Sequence, residues 1–226
     1  VSAGRPAPRS YVARHGRLTP AQKRALDRLG PRFLLPSPAS GLLDPEDAFA
    51  RSGPLFVEIG CGNGAFLIAQ ARAHPERLHL GVEVYPPGLG HTLLEIERHE
   101  LENVRLLAED AYLVLSALLP PGSVERIVVL FPDPWPKKRH HKRRLLLRPG
   151  FWEGARRALV PEGRLLLVTD AGDYAEEVRA ALSGTPWHET AFDEDLWTDA
   201  QETPFALRAR KEDRPLARLA VSPTAV

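Results

Sequence analysis

Residues 55–73 read LFVEIGCGNGAFLIAQARA. Leu55 to Ile59 form a short apolar run of the kind that makes a buried strand, and Ala65 to Ala73 carry a helix pattern. Between them lie Gly60, Gly62 and Gly64, where missing side chains let the backbone approach a ligand and the following helix presents free N–H groups. Strand, glycine turn and helix in this order open a doubly wound sheet.

The same alternation continues downstream. LHLGVEV (78–84), VRLL (104–107), RIVVLF (126–131) and GRLLLVT (163–169) read as strands, and weaker strands are expected at 189–192 and 205–210. Helices are expected at 90–98, 111–118, 149–159 and 173–182. Repeated strand–helix units predict an α/β, Rossmann-like, mostly parallel sheet of seven strands with helices on both faces. Upstream, residues 1–50 read as a basic N-terminal arm or cap with one helix, Pro20 to Leu29, announced by Thr19 as N-cap and Pro20 at the first helical position. Residues 51–226 form the main domain.

Composition narrows the function class. At 226 residues with 43% hydrophobic content the chain suffices for a real core. Cys61 is the only thiol, which excludes an intramolecular disulfide and a cysteine metal cage and predicts a reducing, cytoplasmic setting. No run approaches 18 consecutive apolar residues, so no membrane association is expected. The net charge of +1 conceals a separation of sign: residues 1–32 carry eight Lys or Arg against Asp27, and residues 137–144 carry six with no acid. Two concentrated basic segments on an otherwise acidic body are the footprint of a polyanion binder.

Acids at the strand ends narrow the ligand. Gly60, Gly62 and Ala65 satisfy the dinucleotide fingerprint, with Glu83 near the position of a ribose-binding acid, so the glycine loop alone fits a nicotinamide cofactor or S-adenosylmethionine. Glu58, immediately before the loop, would repel a pyrophosphate but suits an ammonium or sulfonium. Asp110 and Ala111 follow the third strand, where a carboxylate can accept from an adenine amino group; Asp110 is also a good helix N-cap. These acids point to the cofactor site of a class I methyltransferase.

The segment FPDPWPKKRHHKRR (131–144) places Asp133 just past a strand's carboxyl end, in a turn stiffened by Pro132, Pro134 and Pro136. Trp135 is expected either to stack on a base or to pack beneath the turn. His140 and His141 read as RNA contacts, and no metal is expected because adjacent histidines lack a third ligand. Cys61 reads as a small loop residue.

Taken together, FPDPWPKKRHHKRRL (131–145), RSYVARHGRLTPAQKRAL (9–26), GVEVYPPGLG (81–90) and TDAGDYA (169–175) resemble the bacterial tRNA (guanine-N7)-methyltransferase family over roughly residues 10–210. The resemblance implies methyl transfer from S-adenosyl-L-methionine to N7 of guanine 46 in the tRNA variable loop. It implies Glu58, Glu83, Asp110 and Asp133 as cofactor-site acids, with Asp133 catalytic. Lys137, Asp170, Thr203 and Phe205 would touch substrate, and Arg139, His140, His141, Lys142, Arg143 and Arg144 would touch RNA. The chain departs from the family's usual pattern at Ala206, where a glutamate is typical, so one carboxylate contact is missing or supplied elsewhere. The rival readings are a nicotinamide-dependent oxidoreductase and a non-catalytic tRNA-binding protein with a vestigial pocket. Oligomeric state stays open.

Overall fold

The computed structural model describes residues 16–37 and 42–224. The expected basic stretch before Gly16 lies outside the described residues. Among these, eight strands form one sheet in the order β1-β4-β3-β2-β5-β6-β8-β7. The strands are β1 (Leu34–Leu35), β2 (Leu55–Ile59), β3 (Leu78–Val82), β4 (Val104–Leu107), β5 (Val124–Leu130), β6 (Leu159–Thr169), β7 (Trp187–Glu189) and β8 (Ala217–Pro223). All pairings from β1 to β6 are parallel, whereas β8 runs antiparallel between β6 and β7. Every residue of β2, β3 and β4 is buried, because a parallel sheet covered on both faces has no solvent side.

The helices are α1 (Pro20–Phe33), α2 (Pro45–Phe49), α3 (Ala65–Ala73), α4 (Pro86–Arg98), α5 (Ala111–Leu113), α6 (Phe151–Ala158), α7 (Gly172–Leu182), α8 (Glu194–Gln201) and α9 (Pro204–Lys211). A π-helical turn, Val114–Leu118, continues α5. No described helix is long and apolar enough to cross a membrane.

The eighth strand is the first correction. Leu34 and Leu35 pair with Leu106 and Leu107, so the segment after α1 joins the sheet edge. α1 starts as expected, with Thr19 Oγ1 accepting from Gln22 N and Gln22 Oε1 accepting from Thr19 N, a reciprocal capping box. It then runs past Leu29 to Phe33 and docks on α4, where Gln22 Nε2 donates to the Pro87 carbonyl at 3.1 Å.

The second correction concerns residues 205–210, expected as a strand and observed within α9. Residues 207–210 (LRAR) alternate apolar and polar, yet the residues turned inward are Ala206 and Ala209, at helical spacing. Thr203 caps the helix and Pro204 occupies its first turn. The sheet is completed by β8, and the strand expected at 189–192 sits instead at Trp187–Glu189.

Candidate active site

Strand order reverses direction between β2 and β5, the place where open α/β sheets leave a crevice beyond the strand ends. The loops following β2, β3, β4 and β5 converge there on an open cleft of about 220 Å³, whose lining includes Gly60, Gly62, Glu83, Glu109, Ala111 and Asp133.

The glycine loop is built on left-handed backbone. Gly60, Gly62 and Gly64 have φ of 75°, 56° and 80°, a region that a side chain disfavours. A Cβ at Gly60 would meet no atom within 4 Å, so that ledge is open to a ligand. Glu83 staples the loop: Oε2 accepts from Gly62 N at 2.9 Å, while Oε1 accepts from Val84 N and Tyr85 N at 2.7 and 2.8 Å. From the other side, Gly88 in α4 approaches so closely that a Cβ there would lie 2.4 Å from the Gly62 carbonyl oxygen.

Glu58 lies beneath this loop, 5% exposed. Burial, with a smaller contribution from the Glu83 charge, pushes its carboxyl up to about 8, against a bond from the Leu67 backbone N–H that favours ionisation. Its Oε2 finds no hydrogen-bond partner among the described residues. A buried carboxyl with spare acceptor capacity beside an open glycine ledge fits a cationic ligand group. The same burial has a stability signature. The folded state keeps the proton that the unfolded chain loses above its ordinary pKa, so Glu58 destabilises the fold progressively from about pH 4.5 to about pH 8. The slope approaches roughly 1.4 kcal/mol per pH unit at most. Denaturant titrations at pH 5 to 8 should therefore show a steeper decline for the parent chain than for Glu58→Gln; parallel curves would contradict the assignment.

Asp110 is an N-cap, as its sequence context allowed. Its Oδ1 accepts from Tyr112 N at 2.8 Å and lies 3.9 Å from Nη1 of the buried Arg148. Of the two adjacent acids that end this loop, Glu109 is among the residues lining the cleft, and sequence reasoning, which singled out Asp110, missed it. Cys61 is buried, and burial raises its thiol well above the usual range, which removes it as a nucleophile.

Asp133 is exposed and lines the cleft from the β5 side. Two aromatic residues flanking its turn have positive φ, Phe131 at 48° and Trp135 at 45°. Such strain, on the order of 1–3 kcal/mol per residue, persists only where surrounding structure imposes it. Phe131 N donates to the Val168 carbonyl at 2.8 Å, and its ring stacks on Phe205 at 5.8 Å. Phe205, 58% exposed, lines the cleft beside Phe131. Trp135 is half-buried, edge-on to His140 and covered by the Arg143 guanidinium 4.9 Å from its ring, so it packs within the segment.

The basic run divides into outward and inward members. Lys137, Lys138, Arg139 and Lys142 are exposed around a 3-10 helix, Lys138–Arg143. Arg144, expected among the RNA contacts, is corrected by its burial: its side chain is 0% exposed and its guanidinium faces the protein. His141 Nδ1 lies 3.2 Å from Glu177 Oε1. His141, Asp173 and Glu177 bring potential metal-ligand atoms within 4.8 Å of one another, but the Arg144 cation already pairs with both acids.

The remaining expected substrate residues are partly committed elsewhere. Asp170 forms an ion pair with Arg214. Thr203 is buried, donating to the Ala200 carbonyl at 2.8 Å and capping Ala206 N at 3.4 Å. Ala206 is fully buried, so this helix position faces the interior.

Comparison with known proteins agrees with this geometry. A family described as "Putative methyltransferase" matches residues 52–218. The tRNA (guanine-N(7)-)-methyltransferase of Nitrosococcus oceani is 44% identical over 203 residues, covering 90% of this chain and 85% of that protein. Its namesake from Thiobacillus denitrificans is 42% identical over 214 residues, covering 95% and 88%. Among solved structures, the 16S rRNA methyltransferase KamB superposes with a TM-score of 0.59 at 16% identity, covering 82% of this chain and 96% of that one, a likeness of fold.

Proposed function

This chain belongs to the tRNA (guanine-N(7)-)-methyltransferase family, and on that premise we propose that it transfers the methyl group of S-adenosylmethionine to N7 of guanine 46 in the tRNA variable loop. The observation that carries this reading is the placement of Asp133 and the glycine ledge on one cleft, with exposed Lys137, Arg139 and Lys142 leading away from it. Glu58, Gly60, Gly62, Glu83 and Glu109 would hold the cofactor, Glu58 opposite a cationic group. When bound, S-adenosylmethionine supplies an electrophilic methyl group.

Guanine N7 has a lone pair and no proton to lose, so Asp133 need not act as a base. Alignment is the main requirement, and holding the reacting atoms at near-attack distance is worth as much as roughly 7–11 kcal/mol. The guanine ring gains positive charge as the new bond forms, and the Asp133 carboxylate, fixed by its proline turn, stabilises that charge. Phe205 and Phe131 offer the apolar wall against which a base would lie.

Glu58 also bears on the nicotinamide-dependent alternative, since a pyrophosphate above the glycine loop would oppose ionisation of the buried carboxyl. Entry of a cationic group favours ionised Glu58, so affinity for S-adenosylmethionine should tighten as pH rises toward 8. Incubation with methyl-labelled S-adenosylmethionine and a tRNA transcript tests the function: label in 7-methylguanine is expected, and binding of NAD(H) without response to S-adenosylhomocysteine would sink the claim.

The exposed cations supply a further prediction. Replacing Arg139 and Lys142 together by alanine removes two phosphate contacts, so tRNA affinity should fall and the slope of log K against log salt should shrink by about 2. An unchanged slope in filter-binding titrations would make them ordinary surface charge.

A further inference from the structure

The geometry points to Arg144 as a positioning residue that holds the Asp133 turn in its working shape, a role that rests on the methyl-transfer reading above. Its guanidinium makes three bonds to the protein: Nε to the Pro134 carbonyl at 2.7 Å, Nη1 to Glu177 Oε2 at 2.9 Å and Nη2 to Asp173 Oδ2 at 2.6 Å. The ring of Tyr174, itself fully buried, lies 4.8 Å from the guanidinium carbon. The Tyr174 hydroxyl in turn accepts from Leu146 N at 3.0 Å, which ties the chain just after Arg144 to α7.

The turn needs an external brace. Pro132, Pro134 and Pro136 have no N–H, so half of residues 131–136 cannot donate a backbone bond. Phe131 and Trp135 hold positive φ on either side of Asp133. The Pro134 carbonyl is one residue from Asp133, and the bond from Arg144 anchors it to α7 through two carboxylates. Arg144 also holds the Asp173 carboxyl below its ordinary range, chiefly through their hydrogen bond. A guanidinium so enclosed has no exposed face for a phosphate, and its charge is already balanced. Among the cations of the run, Arg144 therefore serves Asp133, and its exposed neighbours serve RNA.

Four variants of the full chain test this: Arg144→Ala, Arg144→Lys, the double variant Asp173→Asn with Glu177→Gln, and Arg139→Ala as an RNA-contact control. A displacement of about 1 Å at a reacting group costs about 100-fold in rate, so Arg144→Ala should lower kcat at saturating tRNA by about that factor. Its tRNA Kd should stay within about twofold and its salt slope should match the parent's, while Arg139→Ala reduces the slope. Lysine cannot reproduce the three-armed geometry, so Arg144→Lys should recover less than half of the logarithmic loss, and millimolar guanidinium should partly restore Arg144→Ala. A kcat equal to the parent's combined with a shallower salt slope would return Arg144 to the RNA contacts. If Arg144→Ala fails to fold by circular dichroism, the double variant decides: its acids are partly exposed, and an undiminished kcat would overturn the brace. Trypsin cleavage within residues 137–143, without cofactor or tRNA, is independent of activity; it should accelerate at least about tenfold in the double variant. If the parent forms no 7-methylguanine, the proposed function falls while the trypsin comparison alone judges the brace, and equal cleavage rates would reject it.

Discussion

Replacing Asp133 by alanine is expected to lower kcat for tRNA methylation by about 10²–10³-fold, the usual effect of removing one preorganised charge from the site of developing charge. tRNA affinity should change by no more than about twofold, because the exposed cations Lys137, Arg139 and Lys142 stay in place. The asparagine variant separates the two roles open to this carboxylate. If its negative charge stabilises the methylated ring, Asp133→Asn should lose nearly as much as Asp133→Ala. If the side chain acts only as an acceptor for the guanine edge, its amide oxygen should restore most of the rate, and the charge argument would be wrong. Folding should be unaffected, since Asp133 is exposed and the turn is held by groups on either side of it.

The second large effect is expected from Gly88→Ala, a residue with no reactive group. The added methyl would lie 2.4 Å from the Gly62 carbonyl oxygen and 3.0 Å from its carbon, which are backbone atoms rather than a flexible side-chain tip. The glycine loop must shift, even though Glu83 pins Gly62 N at 2.9 Å. Overpacking of this kind costs about 1–3 kcal/mol, while alanine in α4 regains about 1 kcal/mol of helix propensity over glycine. Global stability should therefore change little, whereas S-adenosylhomocysteine affinity should fall about 10–100-fold in calorimetric titration. Gly172→Ala is the control, with negative φ and no atom within 4 Å of the new methyl. Equal affinities for the parent and Gly88→Ala would show that the loop's position does not govern the cofactor site.

The central sheet was legible because its strands are apolar runs bounded by glycine, proline or charge, and β2, β3, β4, β5 and β6 fall where that pattern places them. The edges were not. β1 is two residues long and is recognisable only by its pairing with Leu106 and Leu107. In α9, the short alternation over residues 207–210 drew attention away from the inward pair Ala206 and Ala209, although Thr203 and Pro204 announced a helix start.

The candidate site divides in the same way. Glycine positions and strand-end acids can be read from local sequence, since their use depends on the adjoining loop. Which way a long side chain points cannot. Arg144 sits in an unbroken basic run, and the acids that claim it, Asp173 and Glu177, lie 29 and 33 residues away. Likewise, Asp110 was singled out from sequence and its neighbour Glu109 passed over, yet Glu109 lines the cleft while Asp110 caps α5.

The most direct test of the proposed activity is to map the methyl group on tRNA. Transcripts carrying guanine or adenine at position 46 would be incubated with the full chain and labelled S-adenosylmethionine, then cleaved by chemistry specific for 7-methylguanosine. A single scission at position 46, lost with the adenine transcript, is the predicted result. Label retained in the adenine transcript, or a cleavage pattern without a break at 46, would contradict it.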